Sequence, residues 1–124
     1  VAYVRSSRFT YGLLERSGEF TVSVPMFTGE KDHDQRVREI LAVCGSKSGR
    51  DMDKVAELGL TLVEGEQVAV PAIKELPLTL ECRVLYKSPQ DEAQLPDDLR
   101  GHYYADDAPH TAYYAQIVSA YLLR

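Results

Sequence analysis

Leu76 to Tyr86 is the segment that most limits the fold. Leu76, Leu78, Leu80, Cys82, Val84 and Tyr86 alternate with Pro77, Thr79, Glu81, Arg83 and Leu85. A period of two puts the first set on one face of an extended chain, whereas a helix would scatter it around the axis. The chain therefore holds a long strand with one apolar face. That face needs neighbouring strands and a core beneath it.

The remaining segments supply both. Glu19 to Val24 alternates in the same way, with Phe20, Val22 and Val24 on one face and Pro25 as the stop. Val1 to Val4 reads as the end of a strand. Leu60 to Val63 and Val68 to Val70 read as short strands joined by a hairpin turn at Glu64-Gly65-Glu66. Thr111 to Leu123 reads as a final strand, apolar on both faces. Helical spacing appears between these strands. Thr10 caps a short helix from Tyr11 to Ser17, ended by Gly18. Asp32 or Asp34 starts a second helix, with Val37, Ile40, Leu41 and Cys44 on one stripe and Gly45 as its end. A third runs from Asp53 to Leu58 and stops at Gly59. Ser88 to Asp107 reads as a long loop with room for one helical turn. No strand–helix–strand rhythm appears, which argues against a doubly wound parallel sheet. The pattern suits a small antiparallel barrel with helical inserts.

Composition narrows the function. The chain has 124 residues, 44% hydrophobic and 27% charged, which excludes a disordered or low-complexity chain. It carries 14 Lys and Arg against 19 Asp and Glu, a net charge of −5. Phosphate neutralisation needs a basic field, so this balance argues against nucleic acid as a partner. A local anion site stays open wherever cations cluster. Cys44 and Cys82 are too few for a disulfide framework or a four-cysteine zinc site. Each lies in an apolar-periodic stretch, so both read as buried thiols of a reducing, cytoplasmic compartment. No apolar run reaches the roughly 20 residues of a membrane helix, and no signal-peptide pattern is present. The chain opens on Val1-Ala2-Tyr3-Val4, with neither Met nor a polar tail, and closes in the strand-like run Val118 to Leu123. The expectation is a single domain over residues 1–124, cut from a longer one at both ends.

Three stretches could carry chemistry. Arg5-Ser6-Ser7-Arg8-Phe9-Thr10 sets two guanidinium groups and three hydroxyls before a helix start. Arg offers a planar fork of donors to phosphate, and a helix start adds backbone N–H groups. The same residues also suit a solvated turn with a Thr cap. Cys44 to Lys54 offers a Gly-hinged turn with Ser46, Ser48 and three cations. It lacks the P-loop order, and it reads either as an anion-binding nest or as an exposed inter-helix loop. His102 and His110 straddle Asp106 and Asp107, but their spacing matches no metal motif, so no metal is expected. Nucleophilic catalysis finds no support. Cys44 lies at a helix C-terminus, where the dipole disfavours a thiolate, and there is no Gly-x-Ser-x-Gly elbow.

Read in order, these stretches resemble the flavin reductase-like family, the FMN-binding split barrels that include flavoredoxin. The matching runs are Arg5 to Thr10, Gly18-Glu19-Phe20-Thr21-Val22-Ser23-Val24-Pro25, Cys44-Gly45, Ser48-Gly49-Arg50-Asp51, Asp53-Lys54 and Gly59-Leu60-Thr61. Val70-Pro71, Leu80-Glu81-Cys82-Arg83-Val84 and Pro109-His110-Thr111 before Ile117-Val118 continue the series. The resemblance implies a mainly β, six-stranded antiparallel split barrel with short helices, a homodimer, and FMN near the dimer interface. It implies Arg5, Ser7, Arg8 and Thr10 as phosphate contacts, Ser48 and Lys54 as further contacts, and His110 beside the flavin or nicotinamide. Family members also carry strands ahead of the position of Val1 and a segment after the last strand. The implied activity is an FMN-dependent oxidoreductase fed by NAD(P)H or a protein donor, with flavin, ferric iron or another acceptor. A flavin-binding electron carrier and a dimerising barrel without flavin are the alternatives. With no Gly-x-Gly-x-x-Gly present, a nicotinamide would bind only transiently. The two-faced last strand supports the homodimer independently, since a barrel interior takes only one face.

Overall fold

Period-two patterning builds the strands. In the computed structural model, which describes residues 1–124, the strands are β1 (Ala2–Arg5), β2 (Glu19–Val24), β3 (Leu62–Val63), β4 (Ala72–Ile73), β5 (Leu78–Pro89) and β6 (His110–Leu122). Four of them form a sheet of order β1-β6-β5-β2, and β3 pairs with β4 in a second sheet. Three pairings are antiparallel in explicit register. Arg5 faces His110, Phe20 faces Cys82, and Leu62 faces Ile73. The expected class holds: mainly β, antiparallel, with short helices. The six strands are divided four and two between the sheets.

The helices are α1 (Phe9–Ser17), α2 (Lys31–Ser46), α3 (Lys54–Leu58) and α4 (Asp97–Tyr104). Gly18 ends α1 in the left-handed region at φ 66°, where a Cβ would be strained, and its N–H donates to the Leu14 carbonyl. Several expected boundaries shift. Thr10 lies inside α1 and caps nothing; Arg8 is the N-cap residue, without a side-chain bond. Glu30, and neither Asp32 nor Asp34, caps α2, accepting from the N–H groups of Asp32 and His33. Gly45 does not end α2, which continues through Ser46. The supposed long loop holds α4, which follows Pro96 and has Asp97 and Asp98 in its first turn. No helix is long and apolar enough to cross a membrane.

The chain divides into two compact units, residues 1–18 with 84–116, and residues 19–83 with 117–124. The second unit contains an aliphatic cluster of Val37, Ile40, Leu58, Leu60 and Leu76, with Val43, Cys44 and Ile73 against it. Cys82 is buried and Cys44 half-buried, and both are free thiols.

The second unit also covers part of the face of β5 that was expected outside. Leu76 and Cys82 are buried as expected, but Thr79 and Glu81, expected outside, are both 0% exposed, while Leu78 is 37% exposed. Residues 64–71 explain this second buried face. They form no tight turn at Glu64-Gly65-Glu66, because Val63 pairs with Ala72 instead of a strand at Val68 to Val70. They fold over Glu81, whose carboxylate accepts from the N–H groups of Glu66 (2.7 Å), Gln67 (2.6 Å) and Val68 (3.1 Å) and from the Tyr121 hydroxyl. Gly65 permits the wrap, since a Cβ there would lie 2.3 Å from the Val68 carbonyl oxygen. Burial alone pushes the Glu81 carboxyl up. The Tyr121 hydroxyl and the three N–H groups reverse this and hold it at about 2.

Candidate functional site

The first unit gathers the cationic turn and the His-bearing strand entry. Antiparallel pairing sets Arg5 opposite His110. The turn Ser6–Arg8 then leads into α1, whose first turn no side chain caps. Arg5 is largely enclosed. Its Nη1 donates to the carbonyls of Tyr103 (3.2 Å) and Ala108 (3.1 Å), and its guanidinium lies 4.9 Å from the Tyr104 ring centroid. Arg5 thus ties the end of α4 to the start of β6. Arg8 differs, with a side chain 58% exposed and most of its donors free to meet a ligand.

Asp107 meets this cluster. Its Oδ1 accepts from Ser7 Oγ at 2.6 Å, and its Oδ2 lies 3.1 Å from Arg8 Nη2 and 3.6 Å from Arg5 Nη1. The Ser7 hydroxyl, then the Ala108 N–H, and the charges of Arg8 and Arg5 hold the Asp107 carboxyl below its usual range. Sequence reasoning placed Asp107 at the end of a long loop. Its partners sit about 100 residues upstream, beyond any local pattern.

A cavity of about 440 Å3 adjoins His110, lined by Tyr3, Ser88, Gln90, Tyr104, His110 and Ala112. The His110 N–H donates to Gln90 Oε1 at 3.2 Å, and Tyr104 Oη lies 2.9 Å from His110 Nδ1. Burial, then the Arg5 and Arg8 cations, push His110 below its ordinary range, so the ring is neutral near pH 7. A cation over the Tyr104 ring makes its phenol the better donor. Nδ1 therefore accepts, and Nε2 carries the proton.

This assignment sets an expectation for Tyr104→Phe. Removing a donor to the neutral imidazole raises the His110 pKa. It also shifts the tautomer ratio about fivefold, from a bond of about 1 kcal/mol. Nitrogen-15 chemical shifts of the His110 ring across a pH titration report both. An unchanged ratio would reject the assignment.

Ser48 and Lys54 belong to the second unit and are engaged there. Ser48 Oγ accepts from the Arg50 N–H at 3.1 Å, and Lys54 Nζ donates to the Cys44 carbonyl at 3.1 Å, near the C-terminal end of α2. His102 packs edge-on against Tyr103, at 4.5 Å between ring centroids. No three His, Cys, Asp or Glu side chains come together in a metal-holding group.

The sequence pattern of the family described as flavin reductase like domain matches residues 1–123. An uncharacterized protein of Archaeoglobus fulgidus is 42% identical over 79 residues, covering 64% of this chain and 40% of its own length. The crystal structure of flavoredoxin from Methanosarcina acetivorans is 25% identical, with a TM-score of 0.63, over 98% of this chain and 50% of that one. An FMN-binding domain of a flavin reductase-like enzyme from Shewanella baltica OS155 is 20% identical, with a TM-score of 0.60, over 97% of this chain and 52% of that one. The chain spans about two fifths of the length of the curated relatives it matches.

Proposed function

Since this chain belongs to the flavin reductase-like family, we propose that it is an FMN-binding oxidoreductase, taking electrons from NAD(P)H or a protein donor and passing them to flavin, ferric iron or another acceptor. The observation that carries the proposal is the oxyanion seat at the start of α1. A carboxylate already rests there, 2.6 Å from Ser7 Oγ and 3.1 Å from Arg8 Nη2. A phosphomonoester offers oxygens of the same kind with more charge, about −1.5 to −2. Ser7, Arg8, Thr10 and the uncapped first turn of α1 fit it. Arg5 holds the frame behind them.

When bound, the flavin supplies the two-electron chemistry. The chain's own residues bind and orient. Tyr104 fixes the His110 ring and Gln90 holds the His110 backbone N–H, leaving Nε2–H as a donor for a carbonyl or ring nitrogen. Tyr3 and Tyr104 give the adjoining cavity aromatic walls suited to a flat ring. Ser48 and Lys54 rest on the family resemblance alone. The family pattern spans both units, which supports reading residues 1–124 as one partial domain. A homodimer is favoured by the exposed Tyr114, Ile117 and Leu122 of β6. The two free thiols favour the cytoplasm.

Arg8→Ala tests the seat. Charge-assisted hydrogen bonds contribute about 1.5–3 kcal/mol, so FMN affinity falls roughly tenfold to a hundredfold. Riboflavin lacks the phosphate and is nearly indifferent to the change. A fluorescence-quench titration of apoprotein with each ligand decides. Equal losses for both would assign Arg8 to the fold or the ring instead. NAD(P)H oxidation by the holoprotein separates an oxidoreductase from an electron carrier without turnover.

A further inference from the structure

Asp107 occupies the seat that the proposed function gives to the flavin phosphate, and both of its oxygens are engaged. The Ser7 hydroxyl has one proton, and Asp107 Oδ1 takes it at 2.6 Å. That proton cannot serve a phosphate at the same time. Arg8 has donors to spare, but a second anion beside its guanidinium would lie against the Asp107 carboxylate, and like charges at that range repel.

We propose that Asp107 is a specificity-determining residue of this site, an internal competitor that an anionic ligand must displace. The inference rests on the phosphate reading of the Ser7–Arg8 seat. Displacement is a local event. The Asp107 bond to the Ala108 N–H, at 2.8 Å, lies within the moving dipeptide. Arg5 keeps the Tyr103 and Ala108 carbonyls, so the end of α4 and the start of β6 stay tied. Only the Ser7 and Arg8 contacts, and the longer one to Arg5, need to open. A ligand without phosphate leaves all of them closed. Asp107 therefore narrows the margin by which FMN is preferred over riboflavin.

Asp107→Asn tests this. The amide oxygen still accepts from Ala108, so the turn keeps its shape, while the charge is gone. Asp107→Ala serves as the second variant, and thermal melts confirm that each is folded. The probes are FMN and riboflavin, titrated by flavin fluorescence into wild type, both Asp107 variants and Arg8→Ala. The expected result is FMN binding about tenfold tighter in both Asp107 variants, with riboflavin unchanged. Unchanged or weaker FMN binding in both, alongside the expected loss in Arg8→Ala, overturns the competitor and leaves the phosphate seat standing. If Arg8→Ala affects FMN and riboflavin equally, the seat itself is wrong and the competitor falls with it. A gain of equal size for both ligands also overturns the proposal, because riboflavin has nothing to exchange for the carboxylate.

Discussion

Glu81→Ala lowers the midpoint of thermal unfolding by roughly 10–20 °C. The substitution strands four donors at once: the N–H groups of Glu66, Gln67 and Val68 and the Tyr121 hydroxyl. A buried donor left without a partner, as at Val68, costs about 1–3 kcal/mol, and the three part-buried donors cost less because water reaches them. Glu81→Gln is milder. It keeps one acceptor oxygen but turns an NH2 toward donors it cannot satisfy. The pH dependence separates the carboxylate's charge from its shape. The folded carboxyl titrates at about 2 against an ordinary 4.5. Above pH 4.5 both folded and unfolded chains are ionised, and the stabilisation is fully present. As pH falls from 4.5 toward 2, the unfolded chain takes up the proton first and the stabilisation drains away. Urea midpoints at neutral pH and near pH 3 should therefore converge between wild type and Glu81→Gln. A gap that stays constant would mean that the ionised form is not what holds residues 64–71.

Ile40→Ala costs about 2–5 kcal/mol, the range for truncating a large aliphatic side chain in a closed core. Ile40 is 0% exposed and sits among Val37, Leu58, Leu60 and Leu76. Three of those neighbours lie outside α2, so the vacated space is bounded by α3 and the approach to β5 and cannot collapse along one helix. The urea midpoint falls by roughly 1–3 M with an unchanged slope. Leu41, one residue on and 38% exposed, is the internal control. Leu41→Ala should cost under about 1 kcal/mol. Comparable losses at the two positions would show that α2 packs by a different face.

What was legible in the sequence was local. Gly18 and Gly59 ended α1 and α3 because a left-handed cap is a one-residue property. The strands β2 and β5 announced themselves by alternation, and β6 by an apolar run on both faces. Long-range satisfaction was not legible. Glu81 reads as a solvent residue on an alternating strand, and only donors 13–15 residues upstream and the Tyr121 hydroxyl 40 residues on make its burial tolerable. Asp107 reads as one more acid in a polar loop until the fold brings Ser7 and Arg8 to it. The missed helix α4 did carry a signal, Pro96 followed by Asp97 and Asp98, which is a common opening for a helix. The turn from Arg5 to Arg8 showed its cluster of donors, but not the Asp107 carboxylate that meets them.

Arg5 has a consequence for the order of assembly. Its bonds to Tyr103 and Ala108 close loops of 98 and 103 residues. The unit it belongs to is made of residues 1–18 and 84–116, so its two parts are synthesised far apart in time. Strand β1 leaves the ribosome well before β6, the strand it pairs with. Most of the other unit, residues 19–83, lies between them and is complete sooner. The β1 edge that meets β6 waits through that interval, during which Arg5, Arg8 and the hydroxyls beside them keep the segment charged and hydrated. Contacts this distant in sequence fold slowly. A nascent chain therefore passes through a stage in which the aliphatic cluster around Ile40 can pack while the anion seat does not yet exist.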